Sequence, residues 1–177
     1  MLEHIKVISP GSLTTIQDKG RYGFQQFGIP VAGAMDEYAL RLANLLVANK
    51  ENEGALEITL LGPSLEFQSR TIIAITGADL GARLNKSEIP LWEAILVEPG
   101  DVLDFTGVKK GCRAYLAVAG GFDIPVFMNS KSTYVRGKLG GFKGRSLKAG
   151  DILPIHSLKA EDLSLVGVRV EETCCFQ

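Results

Sequence analysis

Short apolar segments bounded by glycine or proline recur along the chain, and they predict a mainly β protein. Six of them, each rich in Val, Ile, Leu, Thr or Phe, are predicted strands, at residues 4–9, 13–16, 55–61, 71–76, 102–105 and 112–119. In the third, apolar side chains at positions 56, 58 and 60 alternate with Glu57 and Thr59, so one face of this strand is apolar. Strands at such regular spacing favour a barrel or a sandwich over a βαβ repeat.

One segment shows helical periodicity instead. Apolar residues at positions 40, 43, 46 and 47 recur three or four residues apart. Asp36 is suited to cap the start of this helix, and Asn49 tolerates the left-handed turn that follows a helix. We therefore predict one buried helix near residues 36–49, lying across one mouth of the barrel.

Composition excludes several functional classes. The chain has 177 residues with 46% hydrophobic and 22% charged side chains, and its formal net charge is -1. A nearly neutral chain has no global field to hold nucleic acid or an anionic membrane. No apolar run is long enough to span a bilayer, and the N-terminus lacks a secretory signal. The three cysteines, Cys112, Cys174 and Cys175, form neither a disulfide framework nor a zinc site. A cytoplasmic protein without nucleic-acid or membrane partners is expected.

Familiar catalytic signatures are missing from the sequence. There is no phosphate loop of the form G-x-x-x-x-G-K-[ST], no G-x-S-x-G elbow and no H-E-x-x-H helix. The two histidines, His4 and His156, lie at opposite ends of the chain without metal-ligand spacing. Any chemistry must then come from carboxylates, arginines and backbone amides, and no metal ligand set can be assigned.

A first polar cluster occupies residues 14–36. Its glycines allow backbone amides to approach a bound group, Arg21 could bind a carboxylate or phosphate through paired hydrogen bonds, and Gln25 and Asp36 follow. An equally weighted alternative is structural. In it, Asp18 and Arg21 form an ion pair that stabilises a turn, and Asp36 only caps the helix.

A second cluster follows the apolar run 72–75. Thr76, Gly77 and Asp79 end this predicted strand, which would deliver a carboxylate to a rim where sites tend to lie. The alternative is that Asp79 only stabilises an Asx turn.

A third cluster, residues 131–148, holds six basic side chains and no acidic one. Tyr134, Arg136, Lys138 and Arg145 lie in it among glycines, which lets amides and cations converge on an anion. Phosphate, nucleotide or carboxylate binding is one interpretation. A solvated loop that contacts an acidic partner protein is the rival, and RNA is disfavoured because aromatic residues are not interleaved.

These clusters belong to an ordered series of motifs: PG at 10–11, TTIQD at 14–18, GR at 20–21, GIP at 28–30, GAMD at 33–36, TGAD at 76–79, AVAGG at 117–121, STYVRG at 132–137 and GD at 150–151. The series resembles the carboxyltransferase subdomain A-and-B family, also called allophanate hydrolase subunit 2. That family includes the C-type subunit of the bacterial ATP-dependent 5-oxoprolinase and part of the carboxyltransferase region of urea carboxylase. The resemblance implies a cyclophilin-like β-barrel.

The resemblance also implies a function. A C-type subunit would help to activate 5-oxoproline with ATP and Mg²⁺ for hydrolysis to glutamate, together with a B-type subunit of related fold and a separate A-type subunit. Because such a phosphoryl transfer needs cations and orienting carboxylates, we infer catalytic roles for Arg21, Asp36, Asp79 and Arg136. We expect substrate or phosphate binding by Gln25, Thr76, Tyr134, Lys138 and Arg145.

Two alternatives stay open. The chain could be a carboxyltransferase component of a biotin-dependent, urea carboxylase-type enzyme, with biotin as its cofactor. It could also be a non-catalytic regulatory partner of a sensor-kinase inhibitor. Family members are about twice as long as this chain, so residues 1–157 are expected to be the N-terminal half of the module and residues 158–177 a divergent tail. If the active site lies between the halves, the chain alone would be inactive.

Overall fold

A computed structural model describes residues 3–170. Within that range the chain forms eleven strands, one α-helix and two short 3₁₀ helices at Gln25–Phe27 and Ala160–Leu165. The elements are β1 (Glu3–Ser9), β2 (Leu13–Gln17), α1 (Glu37–Leu46), β3 (Ala55–Thr59), β4 (Ser64–Phe67), β5 (Thr71–Asp79), β6 (Ala82–Leu84), β7 (Ser87–Glu88), β8 (Ala94–Val97), β9 (Val102–Phe105), β10 (Lys110–Val118) and β11 (Ile152–Ile155).

The strands form two antiparallel sheets. One has six strands in the order β11-β1-β4-β9-β6-β7, and the other has five in the order β2-β3-β10-β5-β8. The mainly β prediction is confirmed, and all six predicted strands are present with ends shifted by up to three residues. Closure of the two sheets into a barrel stays a prediction.

The main core lies on one face of the five-stranded sheet. Alternate residues such as Leu56, Ile58, Ile73 and Ile75 are fully buried there, together with side chains from the six-stranded sheet. The alternation seen in the sequence of β3 therefore marks the face that the core covers.

Helix α1 covers the opposite face of the same sheet. Its Ala39, Leu40 and Ala43 pack in a second cluster with residues of β5 and β10 such as Ile72 and Ala117. The predicted helix is confirmed, but its predicted position across a barrel mouth is wrong. The physical reason is that β5 is apolar at consecutive positions, so both faces of this sheet need a cover.

The ends of α1 follow its capping residues. The Asp36 carboxylate (Oδ1) accepts a hydrogen bond from the Ala39 amide at 2.9 Å, as expected of an N-cap. The helix ends at Leu46, earlier than predicted, because Ala48 already has a left-handed backbone with φ of 54°. No helix in residues 3–170 has the length and apolar character needed to cross a membrane.

The part of the predicted tail that the structure describes lies along the free edge of β8. Its backbone forms hydrogen bonds in which the Ala94 amide donates to Val168 and the Gly167 amide donates to Ala94, at 2.8 and 2.9 Å. Cys174 and Cys175 lie outside the described residues. The domain boundary at residue 157 stays a prediction.

Candidate functional site

An open cavity of about 750 Å³ lies where α1 begins, β5 ends and β10 begins. This volume is in the usual range of small-molecule sites. Charged side chains of both signs and an apolar wall line it. The lining residues are Met35, Asp36, Tyr38, Gly77, Ala78, Asp79, Leu91, Trp92, Lys110, Gly111, Cys112 and Arg113.

Asp36 and Asp79 are the two carboxylates of this cavity. One oxygen of each carboxylate accepts a hydrogen bond from a nearby backbone amide. Asp36 Oδ1 caps α1, and Asp79 Oδ1 accepts the Gly81 amide at 2.8 Å in an Asx turn. The second oxygen of each accepts no hydrogen bond from residues 3–170. The structural and functional interpretations of both residues are therefore compatible.

A buried hydrogen-bond network lies beneath the cavity. Glu57 on β3 accepts the Tyr115 hydroxyl and the Met35 amide at 2.8 and 2.9 Å, and the same hydroxyl accepts the Asp36 amide at 2.8 Å. Burial, with the nearby Glu57 carboxylate as a smaller cause, raises the pKa of Tyr115. Tyr115 therefore stays a proton donor, and the network fixes the backbone from which the side chains of Met35 and Asp36 enter the cavity.

Thr76 belongs to the same anchoring system. Its side chain is fully buried, and its hydroxyl donates to the Ala39 carbonyl at 2.7 Å. This contact ties α1 to β5. Thr76 does not line the cavity, so its predicted binding role has no geometric support.

Arg21 is fully buried and does not line the cavity. Its Nη2 donates to the Ser132 carbonyl, whereas Nε and Nη1 have no hydrogen-bond partner among the described residues. Burial lowers the pKa of Arg21, and the charge of Asp18 opposes this shift. A side chain so enclosed holds loops together, and its predicted catalytic role has no support in this geometry.

Asp18 organises the same interior. Its carboxylate accepts hydrogen bonds from the hydroxyls of Ser130 and Ser132 and from the amides of Gly20 and Lys131. It thereby joins the end of β2 to the start of the basic segment 131–148. Asp18 and Arg21 do not form the ion pair of the structural interpretation within the described residues. The charge of Asp18 acts on Arg21 from a longer distance, and each side chain connects loops through other partners.

The remaining predicted residues lie apart from the cavity. Gln25 is exposed in a 3₁₀ helix and accepts the Gly23 amide. Arg136 and Lys138 are exposed, and half-buried Tyr134 lies in the backbone bridge to Leu139. The structure thus brings together Asp36 and Asp79 and does not gather the basic segment around them.

Arg145 is already engaged by a carboxylate. Its Nη1 and Nη2 each donate to one oxygen of Asp151 at 2.7 Å, and the Lys148 amide donates to the same group at 2.7 Å. The hydrogen bonds from Arg145 are the main cause that lowers the pKa of Asp151. Arg145 is thus a structural clamp on the turn before β11.

This clamp predicts a pH dependence of stability. The pKa of Asp151 is lower in the folded state than in the unfolded state. Its contribution to the stability of the fold is therefore complete above the unfolded-state pKa of about 3.9, and it is lost as the pH falls through the folded-state pKa. We expect Asp151→Asn to destabilise the protein by about 1–2 kcal/mol at neutral pH, with the difference from wild type shrinking in acid. Urea titrations at several pH values measure this; a pH-independent difference would contradict it.

Sequence reasoning missed the cations of the cavity. Lys110 and Arg113 line it from the first residues of β10, and Trp92 forms part of its apolar wall. Gly111 between the two cations was the available signal, because glycine inside a strand often marks a bulge.

A family model described as "Carboxyltransferase domain, subdomain A and B" matches residues 27–173. Among curated proteins, the C-type 5-oxoprolinase subunit of Escherichia coli (strain K12) is 44% identical over 165 residues, which are 93% of this chain and 53% of that protein. The urea amidolyase of Lachancea kluyveri is 43% identical over 167 residues, which are 94% of this chain and 9% of that protein.

Solved structures show the same similarity. The crystal structure of the K. lactis urea amidolyase matches with a TM-score of 0.85 and 43% identity, covering 90% of this chain and 10% of that one. The chain spans about half the length of the 5-oxoprolinase subunits that it matches and about a tenth of the urea amidolyases.

Proposed function

The chain belongs to the carboxyltransferase subdomain A-and-B family, as its ordered motifs indicated, and from this premise we propose that it is a C-type subunit of an ATP-dependent 5-oxoprolinase. The complex would activate 5-oxoproline for hydrolysis to glutamate. The observation that carries this proposal is that 93% of the chain aligns, at 44% identity, with the C-type 5-oxoprolinase subunit of E. coli.

The charges of the cavity support a substrate of this kind. 5-Oxoproline is a five-membered lactam with an N–H donor and a carboxylate. The free oxygens of Asp36 and Asp79 can accept the N–H, and the cavity also holds the cations Lys110 and Arg113. Urea has no anionic group, so these cations have no evident use in binding it.

ATP supplies the chemistry that the lactam needs, since phosphorylating the amide oxygen creates a leaving group. The cavity does not fit a bound triphosphate. Arg21 is enclosed and Arg145 is paired with Asp151, and the two cations of the cavity are balanced by two carboxylates. No group of three or more potential metal ligands occurs among residues 3–170. We therefore assign nucleotide and Mg²⁺ binding to the partner protein.

Partners are part of the proposal. The chain spans about half of the C-type 5-oxoprolinase subunit of E. coli. We propose that the rest of this module and a B-type subunit of related fold complete the active unit. A separate A-type subunit would finish ring opening.

A second candidate function rests on an independent observation. The chain is 43% identical to the urea amidolyase of Lachancea kluyveri and superposes on the K. lactis urea amidolyase with a TM-score of 0.85. In this alternative the chain is the carboxyltransferase component of a biotin-dependent enzyme, and the same cavity receives the carboxyl group or its acceptor.

Reconstitution tests the two candidates. The chain is co-purified with the A-type and B-type subunits and with the complementary half of a C-type one, and ADP release is measured with and without 5-oxoproline. We expect ADP release that depends on 5-oxoproline, with the full-length E. coli C-type subunit in place of the chain as the positive control. If the chain's complex is inactive while the control works, the oxoprolinase proposal fails. Carboxyl transfer from carboxybiotin to urea in a parallel assay would establish the alternative.

A further inference from the structure

We propose that the start of β10 forms a carboxylate-binding subsite in the cavity, in which Arg113 and Lys110 bind the carboxylate of a small acid that also carries an amide N–H. The choice of 5-oxoproline as its ligand rests on the proposed function.

A β-bulge brings these two cations together. Lys110 pairs with Asp79 of β5, whereas Ala114 pairs with Gly77, so three residues of β10 lie opposite one residue of β5. In a regular strand, residues three apart point to opposite faces. A bulge changes the direction of a side chain, and here both Lys110 and Arg113 line the same cavity.

Glycines make this bulge possible. Gly77 and Gly111 have φ of 82° and 79°, a region that side chains other than glycine rarely adopt. A Cβ on Gly77 would lie 2.6 Å from the Arg113 carbonyl oxygen, and one on Gly111 would lie 2.9 Å from the Ala78 Cβ. The two strands approach so closely that the bulge requires glycine on both sides.

The cationic groups are available to a ligand. Arg113 is positioned through its Nε, 3.4 Å from the Glu57 carboxylate, and Nη1 and Nη2 make no hydrogen bond to residues 3–170. Lys110 is exposed and has no ion pair within the described part of the chain. A guanidinium with two free terminal nitrogens matches the two oxygens of a carboxylate.

The charges around the cavity favour one class of ligand. The lining side chains are two cations and two carboxylates, Asp36 and Asp79, and the Glu57 carboxylate beneath them pairs with Arg113. A triphosphate would be repelled by these carboxylates, whereas a monoanion with an N–H donor satisfies both kinds of group. Leu91 and Trp92 supply an apolar wall for its ring.

Trp92 makes the subsite directly measurable. It is the single tryptophan in the sequence and it lines the cavity, so its fluorescence reports binding to the chain alone. We expect a saturable change with 5-oxoproline. Binding of 2-pyrrolidinone, the same lactam without the carboxylate, should be at least about tenfold weaker. Equal binding of the two compounds, or no saturable binding of 5-oxoproline, would overturn the subsite.

Variants identify the residues. Lys110→Gln, which breaks no hydrogen bond or ion pair among the described residues, and Arg113→Gln should each weaken 5-oxoproline binding by about tenfold and leave 2-pyrrolidinone binding unchanged. The controls Lys50→Gln and Arg70→Gln lie outside the cavity and should bind like wild type. Unchanged 5-oxoproline binding by Lys110→Gln and by folded Arg113→Gln would refute the proposal.

The reconstituted complex separates this inference from the proposed function. There, both variants should raise KM for 5-oxoproline with little change in kcat. If the complexes of both variants turn over 5-oxoproline with the wild-type KM, the proposed function is supported and the subsite is refuted. If the chain alone binds 5-oxoproline in preference to 2-pyrrolidinone but the reconstituted complex is inactive, the subsite is supported and the proposed function is refuted.

Discussion

Replacing Asp18 with alanine is expected to lower the free energy of unfolding by about 3–5 kcal/mol, a large part of the stability of a domain this size. The carboxylate of Asp18 is buried and accepts four hydrogen bonds, two of them from the Ser130 and Ser132 hydroxyls and two from backbone amides. Alanine leaves these buried donors without an acceptor.

The charge of Arg21 adds to this cost. Its guanidinium is fully buried, and Asp18 is the group whose charge supports its protonated state. Without Asp18 the buried cation loses this compensating charge, and an uncompensated buried charge is costly.

Urea denaturation followed by circular dichroism measures the effect. Asp18→Asn keeps the shape but loses the charge and should fall between alanine and wild type. Asp123→Ala removes a carboxylate that is about half exposed and should change stability by less than about 1 kcal/mol. Equal effects of Asp18→Ala and Asp123→Ala would show that Asp18 does not hold this interior together.

The strands that could be predicted were those whose own residues form a recognisable apolar or alternating pattern. β5 and β10 are nine residues long, and their apolar runs mark them without reference to any neighbour. The five missed strands have two to four residues, and one of them, β11, contains Pro154. Such segments become strands because a neighbour pairs with them, and proline is tolerated in β11 because it lies at a sheet edge.

Two of the four charged residues that line the cavity were predicted as site residues from the sequence. Asp36 and Asp79 follow recognisable elements, a helix start and a strand end. Lys110 and Arg113 were not predicted, because a spacing of three residues in a strand places side chains on opposite faces. Only the register shift between β10 and β5 brings them together, and register is a tertiary property.

The predicted anion-binding roles of Arg21 and Arg145 lack support in the geometry for a different reason. Arg21 and Arg145 have the residue type that binds anions, but each is already committed to groups of the chain itself, the Ser132 carbonyl and the Asp151 carboxylate. A sequence shows which side chains can bind an anion. It does not show which of them the fold has already used.

The two roles of Asp36 can be separated by a substitution that keeps one of them. Serine is as good an N-cap as aspartate, so Asp36→Ser should retain the hydrogen bond to the Ala39 amide and the melting temperature. It removes the second carboxylate oxygen from a residue that lines the cavity. In the reconstituted complex we expect kcat/KM for 5-oxoproline to fall about a hundredfold, since a charge-assisted hydrogen bond to the lactam N–H is lost.

Asp36→Ala and Asp123→Ser complete this test. The alanine variant loses both roles, so it should show the same loss of turnover and also a loss of about 1 kcal/mol in stability. Asp123→Ser, away from the cavity, should match wild type in both measurements. Wild-type turnover by Asp36→Ser would mean that this carboxylate serves the helix alone, because the cap is then the only function that the variant has kept.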